Sequence, residues 1–366
     1  MRDIPSLTGL RGVAALWVMA FHICKVAGPH AVWAAHAGLL SFGWTGVDLF
    51  FVLSGFILMW VHGAQFARPT RETLGRFALG RILRVYPLSL AVLALIVLLT
   101  WADPGFVAWY RAQDSDNFSL AALIRTALLA TRWVTGGGGD WNEPTWSLSA
   151  EIIGYCAFPG LAFVLTRCSA RMAMAIGAAA LASLAAFELA TGLAGSNPID
   201  QISALMRMGC GFIAGMAACR VRQVVGERSE NFGALGSLGA VLIMGLAFQF
   251  KLGVLLAPAA FAVLIFCLSL GAGALNGLLS SRPALFLGRI SFPLYLIHLT
   301  PLLWLSARMD IGTLAPVQTA GLVAAYVAAC LAMAYALHLA IERPLHRWAG
   351  RGPVLRPSSR ALAQAV

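Results

Sequence analysis

Long apolar runs separated by short polar connections dominate the chain. Runs such as 88–101 and 235–250 hold few polar residues, whereas the strands of a membrane β-barrel alternate apolar and polar positions. Only helices and closed barrels satisfy their backbone hydrogen bonds in lipid, and a helix needs ~20 residues to cross a bilayer. The pattern therefore predicts an all-α fold, a polytopic membrane helix bundle.

About ten membrane-spanning helices are expected. An eleventh apolar run, 119–131, is shorter and carries Arg125, so it either crosses as well or lies at the outer interface. The ten expected spans are each near the length that a bilayer requires, and they cover residues 8–27, 43–62, 80–101, 145–165, 172–191, 202–220, 233–250, 252–275, 284–306 and 315–341.

The basic residues favour ten crossings. If 119–131 does not cross, about fifteen Lys and Arg residues lie on one side of the membrane and about five on the other. Cytoplasmic connections carry such an excess. We therefore expect both termini in the cytoplasm and a location in the bacterial inner (plasma) membrane. The glycine run 136–139 then lies outside, as a flexible loop beside a site.

Composition agrees with a membrane protein and excludes other classes. Hydrophobic residues make up 60% of the 366 residues and charged residues 11%, and the mean hydropathy of +0.80 is too high for a soluble fold. The net charge of +11 resides in connections and the tail, so it does not indicate nucleic-acid binding. The seven cysteines have no paired spacing and are interpreted as apolar fillers. We expect one transmembrane domain, 1–346, and a basic polar cytoplasmic tail, 347–366.

The first apolar run carries two ionisable residues, Arg11 and His22. Both would be costly in the core of a signal peptide, so we expect the run to be retained as a helix. A charge at the centre of a span costs roughly 2.5 kcal/mol or more and usually faces a cavity or a partner. At about 100° per residue the two side chains lie about 20° apart on one face, separated by ~16 Å along the axis.

The other charges inside the predicted spans form two layers. Arg81 and Arg84 share a face near the inner end of the third span, and Arg289 enters the ninth in a similar way. Asp48 and Glu151 lie near the outer ends of their spans. The predicted inner layer is cationic and consists of Arg11, Arg81, Arg84 and Arg289. The predicted outer layer holds acids and bases, namely His22, Asp48 and Glu151, with His298 near.

This polarity suits an elongated anionic ligand. Guanidinium groups bind phosphates through paired hydrogen bonds, so the inner layer fits a nucleotide-phosphate head whose thin arm extends to the outer layer. Coenzyme A has that shape. Individual residues have other interpretations: Arg81 and Arg84 as topology determinants, His22 and His298 as partners of backbone carbonyls, and Asp48 or Glu151 in an ion pair with a neighbouring arginine.

Five motifs, in order along the chain, resemble acyltransferase family 3, membrane proteins that O-acylate glycans and other small hydroxyl compounds. They cover nearly the whole chain and read LTGLRGVAALWVMAFH, GVDLFFVLSGF, GRILRVYP, PTWSLSAE and GRISFPLYLIH. Phe292 stands where the family often has tyrosine. The chain resembles the stand-alone members, which lack a fused periplasmic esterase-like domain.

The resemblance implies an enzyme that moves an acyl group, by default acetyl, from cytoplasmic acyl-CoA to a hydroxyl of a glycan or related acceptor at the periplasmic face. His22 would either remove the acceptor proton or carry the acyl group itself. Asp48 or Glu151 would fix its tautomer, as a triad acid does. The donor would be bound by Arg11, Arg81, Arg84 and Arg289, and the residues expected to line the site are Ser54, Trp146, Ser147, Ser291, Tyr295 and His298.

A transporter or flippase for a lipid-linked sugar is the alternative, since charges along a substrate path would look alike. Transporters often contain internal repeats, and the sequence has no second copy of the Arg-to-His helix or of GVDLFFVLSG. No metal is expected, because His, Asp and Glu are not clustered at ligand spacing. The expected partners are acyl-CoA, a hydroxyl acceptor and the bilayer, without nucleic acid. The acceptor, the acyl chain length and the oligomeric state stay open.

Overall fold

The computed structural model describes residues 3–27, 38–133, 140–193, 197–226, 230–249, 253–345 and 347. The glycine run 136–139 and the tail from residue 348 onward lie outside these ranges. Within them the regular structure is entirely helical, as the sequence predicts. The fifteen α-helices of the described residues are α1 Pro5–Ala27, α2 Gly38–Ser41, α3 Gly46–His62, α4 Arg71–Ala102, α5 Pro104–Arg111, α6 Leu120–Ala127, α7 Thr145–Leu165, α8 Ala170–Thr191, α9 Gln201–Val225, α10 Glu230–Gln249, α11 Gly253–Ser269, α12 Ala274–Leu279, α13 Arg282–Ile297, α14 Leu299–Ser306 and α15 Pro316–Leu337.

Seven helical stretches of the described chain are long and apolar enough to cross a membrane, and an eighth is obtained if the bent pair α13 and α14 counts as one span. The multi-pass prediction is confirmed, whereas ten crossings and the side of the termini stay predictions. The apolar parts of α10 and α11 are shorter than the other spans. Helix α6 has eight residues and rises only ~12 Å, so it is too short to cross the ~30 Å hydrocarbon core.

The ninth predicted span is broken at His298. Helices α13 and α14 meet there at an angle of 45°. Pro301, in the first turn of α14, has no N–H for the carbonyl of Ile297, so an unbroken helix is disfavoured. Neighbouring side chains bond the main chain at the break: Asn142 Nδ2 donates to Leu296 O at 3.0 Å, and the Tyr326 hydroxyl donates to His298 O. The break is therefore stabilised from two other helices or loops.

Helix α4 begins at Arg71, nine residues before the predicted start of that span. The Thr70 side chain caps the helix by accepting a hydrogen bond from Thr73 N at 3.1 Å. The Thr73 hydroxyl oxygen in turn accepts a hydrogen bond from Thr70 N, which completes a capping box. Arg81 and Arg84 consequently lie ~15 Å or more inside the helix. They are therefore not first-turn residues of α4.

Two helix pairs are in backbone contact through glycine. A Cβ on Gly288 of α13 would lie 2.0 Å from Thr8 O of α1, and a Cβ on Gly12 would lie 2.6 Å from Gly288 N. Gly55 of α3 and Gly215 of α9 pack in the same way: a Cβ added at Gly55 would lie 2.0 Å from Phe212 O, and one added at Gly215 would lie 1.9 Å from Val52 O. These contacts fix α1 beside α13 and α3 beside α9, which brings His22 near His298 and Asp48 near Arg207.

Candidate active site

Three cavities follow one another through the bundle. The arginine cavity, of about 210 Å³, is lined by residues that include Arg81 and Arg84. The same two side chains also line the central cavity, of about 180 Å³. Tyr295 and Val47 are shared by the central cavity and the histidine cavity, of about 20 Å³, which His22 lines. Arg81 and Arg84 of the predicted cationic layer thus lie at one end of this series of cavities, and His22 lies at the other.

The arginine cavity is formed by α4 and the turn that follows α15. Arg84 Nη1 donates to Glu342 Oε1 at 2.7 Å, and Glu342 Oε2 contacts His338 Nδ1 at 2.8 Å. Residues His338–Glu342 form a single π-helical turn, a feature frequent at functional sites. Sequence reasoning missed Glu342, although an acid following the last span was a signal that could have been used.

Arg81 lies between two aromatic rings. Its guanidinium carbon is 5.7 Å from the centre of the Phe77 ring and 5.9 Å from that of Tyr155. The Tyr155 side chain also interacts electrostatically with it. Its buried Nε has no hydrogen-bond partner in the described part of the chain. A held guanidinium with a spare N–H is suited to an anionic ligand.

The central cavity places a carboxylate among arginines. Glu151 accepts a hydrogen bond from the Ser54 hydroxyl and interacts electrostatically with Tyr155. Arg11 and Arg81 both interact with its charge. Glu151 therefore belongs to the arginine layer, away from the outer level at which the sequence pattern placed it. Tyr155, four residues further along α7, shares its face and could have been found from that spacing.

A hydrogen-bonded group narrows the passage between the central and histidine cavities. The Tyr295 hydroxyl donates to Pro144 O at 3.0 Å and lies 2.7 Å from Ser147 Oγ. Both side chains are buried, at 6% and 5% exposure respectively. This group connects α13 with the start of α7 and forms the wall that a ligand arm would pass.

His22 and His298 are in direct contact. His22 Nδ1 lies 2.9 Å from Val18 O and 3.2 Å from His298 Nε2, while His298 Nδ1 lies 2.8 Å from Tyr295 O. Their ring centres are 5.0 Å apart. His298 is 1% exposed. Both histidines contact backbone carbonyls, as one interpretation of the sequence allowed, but each also contacts the other.

Asp48 forms a buried ion pair with Arg207. The guanidinium binds both carboxylate oxygens, at 2.9 Å and 3.1 Å. The Arg207 side chain also donates to Asn197 Oδ1 and lies over the rings of Trp44 and Trp146. Arg207 had no role in the sequence-based expectations. The ion-pair interpretation of Asp48 is the one that this geometry favours.

Neither carboxylate hydrogen-bonds His22, which differs from the expectation that Asp48 or Glu151 fixes its tautomer. The oxygens of Asp48 are occupied by Arg207, and Glu151 accepts a hydrogen bond from Ser54. Among the described residues, the side chain within hydrogen-bonding distance of the His22 ring is His298. Sequence spacing could not reveal this partner, because the two histidines lie on helices 276 residues apart.

The remaining expected residues divide into two groups. Ser291 is buried, lines the central cavity and donates to Gly288 O at 2.8 Å, and Trp146 lines the histidine cavity. Arg289 is exposed on α13 and is absent from the walls of these three cavities. Phe292 lies 5.1 Å below the guanidinium carbon of Arg84. Its ring therefore packs against that cation without a hydroxyl group.

A polar turn leads into α7 next to the histidine cavity. Asp140 Oδ2 lies 3.4 Å from Arg132 Nη2, while its buried Oδ1 has no hydrogen-bond partner among the described residues. Burial raises the pKa of Asp140 to about 6, against the opposing effect of Arg132. The turn thus contains a carboxyl group that titrates near neutral pH.

Known proteins resemble this chain over different lengths. Acyltransferase MdmB of Streptomyces mycarofaciens is 31% identical over 165 residues, which is 43% of this chain and 38% of the relative. The putative membrane-bound transacylase BcsY of Komagataeibacter xylinus is 28% identical over 45% of this chain and 38% of its own. O-acetyltransferase OatA of Staphylococcus aureus is 29% identical over 43% of this chain and 24% of its own. No solved structure matches the chain significantly.

The family comparison covers far more of the sequence. The sequence model described as an acyltransferase domain matches residues 4–338. That range includes α1 through α15 and therefore every residue placed above at the walls of the central and histidine cavities. The resemblance drawn from the five motifs is confirmed: the chain belongs to acyltransferase family 3.

Proposed function

We propose that the protein is an O-acyltransferase of the bacterial inner membrane. It moves an acyl group, by default acetyl, from cytoplasmic acyl-CoA to a hydroxyl of a glycan or related acceptor at the periplasmic face. The observation that carries the proposal is the series of three cavities that begins among arginines and ends at His22. The names of the relatives, an acyltransferase, a transacylase and an O-acetyltransferase, support the reaction class.

The arginines bind the head of the donor. Arg81 and Arg84 line both the arginine and the central cavities, and Arg11 lines the central cavity. Phosphate oxygens accept from guanidinium groups in paired geometry, so the phosphates of coenzyme A occupy this end. The pantetheine arm then extends past Tyr295 toward His22. Arg289 was expected in this group, and its exposed position leaves it outside the proposed phosphate site.

His22 carries out the chemistry in one of two ways. As a general base, it takes the proton of the acceptor hydroxyl while that oxygen attacks the thioester carbonyl; the C–O bond forms, the C–S bond breaks, and the thiolate leaves with the electron pair and is protonated by His22. As a nucleophile, its ring nitrogen attacks the thioester carbonyl, the C–S bond breaks and the thiolate leaves; the acceptor hydroxyl oxygen then attacks the acyl carbon, the C–N bond breaks, and the hydroxyl proton passes to the thiolate. Both routes need an unprotonated ring nitrogen.

The test uses membrane vesicles that contain the full chain and retain their own acceptors, supplied with [14C]acetyl-CoA. We expect His22→Ala to lose label transfer by about 100-fold or more. We expect Arg81→Met to raise the KM for acetyl-CoA, since it removes a phosphate ligand. Arg171→Met is the control for loss of one positive charge, because Arg171 is exposed and absent from the walls of the three cavities. Wild-type activity of His22→Ala would exclude both roles of that histidine.

A further inference from the structure

We infer that His298 is the positioning residue for His22: it holds the imidazole in one tautomer and accepts a hydrogen bond from it as charge develops. This inference rests on the proposed function. It assigns to a second histidine the task for which sequence reasoning had nominated a carboxylate. The inference follows from where each ring proton must lie.

The hydrogen bonds determine the tautomers of both rings. His298 Nδ1 lies 2.8 Å from the carbonyl oxygen of Tyr295, which can only accept, so this nitrogen carries the proton. In the neutral ring His298 Nε2 is then an acceptor. His22 Nδ1 lies 3.2 Å from that nitrogen and 2.9 Å from Val18 O, which is a second acceptor. His22 Nδ1 therefore carries the proton and shares it between the two.

The free electron pair of His22 consequently lies on Nε2. This nitrogen has no hydrogen-bond partner within the described ranges, and His22 lines the histidine cavity. An unprotonated nitrogen is what either route to acyl transfer requires. The carbonyl of Val18 favours the same tautomer but lies on the same helix, whereas His298 also holds the ring from across the bundle.

His298 acts when His22 gains charge. If Nε2 takes the acceptor proton, or bonds the acyl carbon, the His22 ring becomes cationic and its Nδ1–H a stronger donor. His298 Nε2 accepts that hydrogen bond, and its proton on Nδ1 stays with Tyr295 O. When the thiolate or the ester product leaves, the His22 ring returns to its neutral form. No proton is gained or lost by His298 over the cycle.

The fold holds His298 in this position by three features. The break between α13 and α14 ends the helix at this residue, the Tyr326 hydroxyl donates to its carbonyl oxygen, and glycine contacts hold α13 against α1. The carboxylates of Asp48 and Glu151 are bonded to other residues. The imidazole of His298 is thus the side chain placed to support His22.

The experiment compares two replacements of similar length, His298→Gln and His298→Met, in the vesicle assay with [14C]acetyl-CoA. Glutamine offers a carbonyl oxygen to His22 Nδ1–H, whereas the methionine thioether is a weak acceptor. We expect kcat to fall by about 10- to 100-fold in His298→Met, and by less in His298→Gln, while the KM for acetyl-CoA stays near the wild-type value in both. Tyr326→Phe removes the hydroxyl that donates to the His298 carbonyl oxygen but keeps the His298 imidazole, so a smaller loss of kcat is expected in it than in His298→Met.

The order of activity decides the outcome. If His298 only fills space, methionine should serve as well as glutamine or better, because it leaves no buried polar atom unpaired, and that result overturns the inference. Wild-type activity of His298→Met beside an inactive His22→Ala would reject this inference and keep the proposed function. Absence of label with the wild-type protein would reject the proposed function itself.

Discussion

Asp48 and Arg207 show how a charged residue inside a membrane bundle can be structural. Each side chain is nearly inaccessible to solvent, and the two are joined by a pair of hydrogen bonds. Their mutual attraction offsets much of the cost of removing both from water, but only while both are present. Asp48 lies in one of the five family motifs, yet its geometry indicates that it acts by holding α3 to α9.

The first prediction concerns this ion pair. Arg207→Met should destabilise the protein by about 3–5 kcal/mol, because it leaves the Asp48 carboxylate buried without its cation. The double replacement Asp48→Asn with Arg207→Met should recover part of that loss. Thermal unfolding in detergent, followed by fluorescence, measures both. A double variant that is less stable than Arg207→Met would contradict the structural role of the pair.

The second prediction concerns pH and Asp140. Burial raises its pKa to about 6 in the folded protein, above its ordinary value of about 3.9 in an unfolded chain. The folded state therefore binds this proton more tightly, and stability is lost as pH rises from about 4 to about 6. Asp140→Asn should remove that part of the pH dependence. Melting temperatures between pH 4 and 8 give the test; a variant whose melting curve against pH parallels the wild type would contradict the assignment.

At the scale of helices, close packing and helix breaks place the side chains. Glycine contacts let α1 and α13 approach until their backbones touch, and the break at His298 directs an imidazole toward His22. Helix α11 ends at Ser269, earlier than the sequence pattern indicates, because the chain turns through Gly271 and Gly273, whose φ angles are 84° and 92°.

The third prediction tests the contact between α1 and α13. Gly288→Ala places a methyl group 2.0 Å from Thr8 O, so the two helices must separate. We expect a lower melting temperature and loss of acyl transfer, since the His22 and His298 rings move apart. Gly321→Ala in α15 is the matched control, because its added methyl group meets nothing within 4 Å. Equal behaviour of the two variants would show that close approach of α1 and α13 is not required.

The fourth prediction concerns the break itself. Pro301→Ala restores the N–H that an unbroken helix needs, which favours a straighter course through His298. The rate of acyl transfer should fall, while the amount of folded protein in the membrane stays close to that of the wild type. The assay with [14C]acetyl-CoA and size-exclusion profiles in detergent separate the two effects. A fully active Pro301→Ala would show that the bend is not needed to place His298.

At the scale of the whole molecule, hydropathy and motif order are enough to predict the fold class and the family from the sequence. The all-α bundle and the family follow from apolar runs and motif order, and each expected span corresponds mainly to one helix of the described residues, except the ninth, which corresponds to the bent pair α13 and α14. Pairing between distant helices does not follow in this way. The partner of Asp48 proved to be Arg207, and that of Arg84 Glu342, because contacts between helices depend on rotation and depth that a hydropathy pattern does not fix.

The arrangement of cavities agrees with the proposed transfer between two faces of a membrane. Under that proposal, an anionic head at the arginine end and an acceptor at the histidine end never need to meet, and only the acyl arm passes Tyr295. The histidine cavity, at about 20 Å³, is small beside the other two. In this account the membrane separates donor from acceptor and the protein connects them through a narrow passage.

Sidedness of transfer tests that account most directly. Membrane-impermeant [14C]acetyl-CoA is added to inside-out and right-side-out vesicles containing the wild-type protein or His22→Ala. Label is expected only in wild-type inside-out vesicles, and an added esterase should remove it only after the vesicles are opened with detergent. Equal labelling of right-side-out vesicles, or label accessible to esterase in sealed inside-out vesicles, would contradict transfer from one face of the membrane to the other.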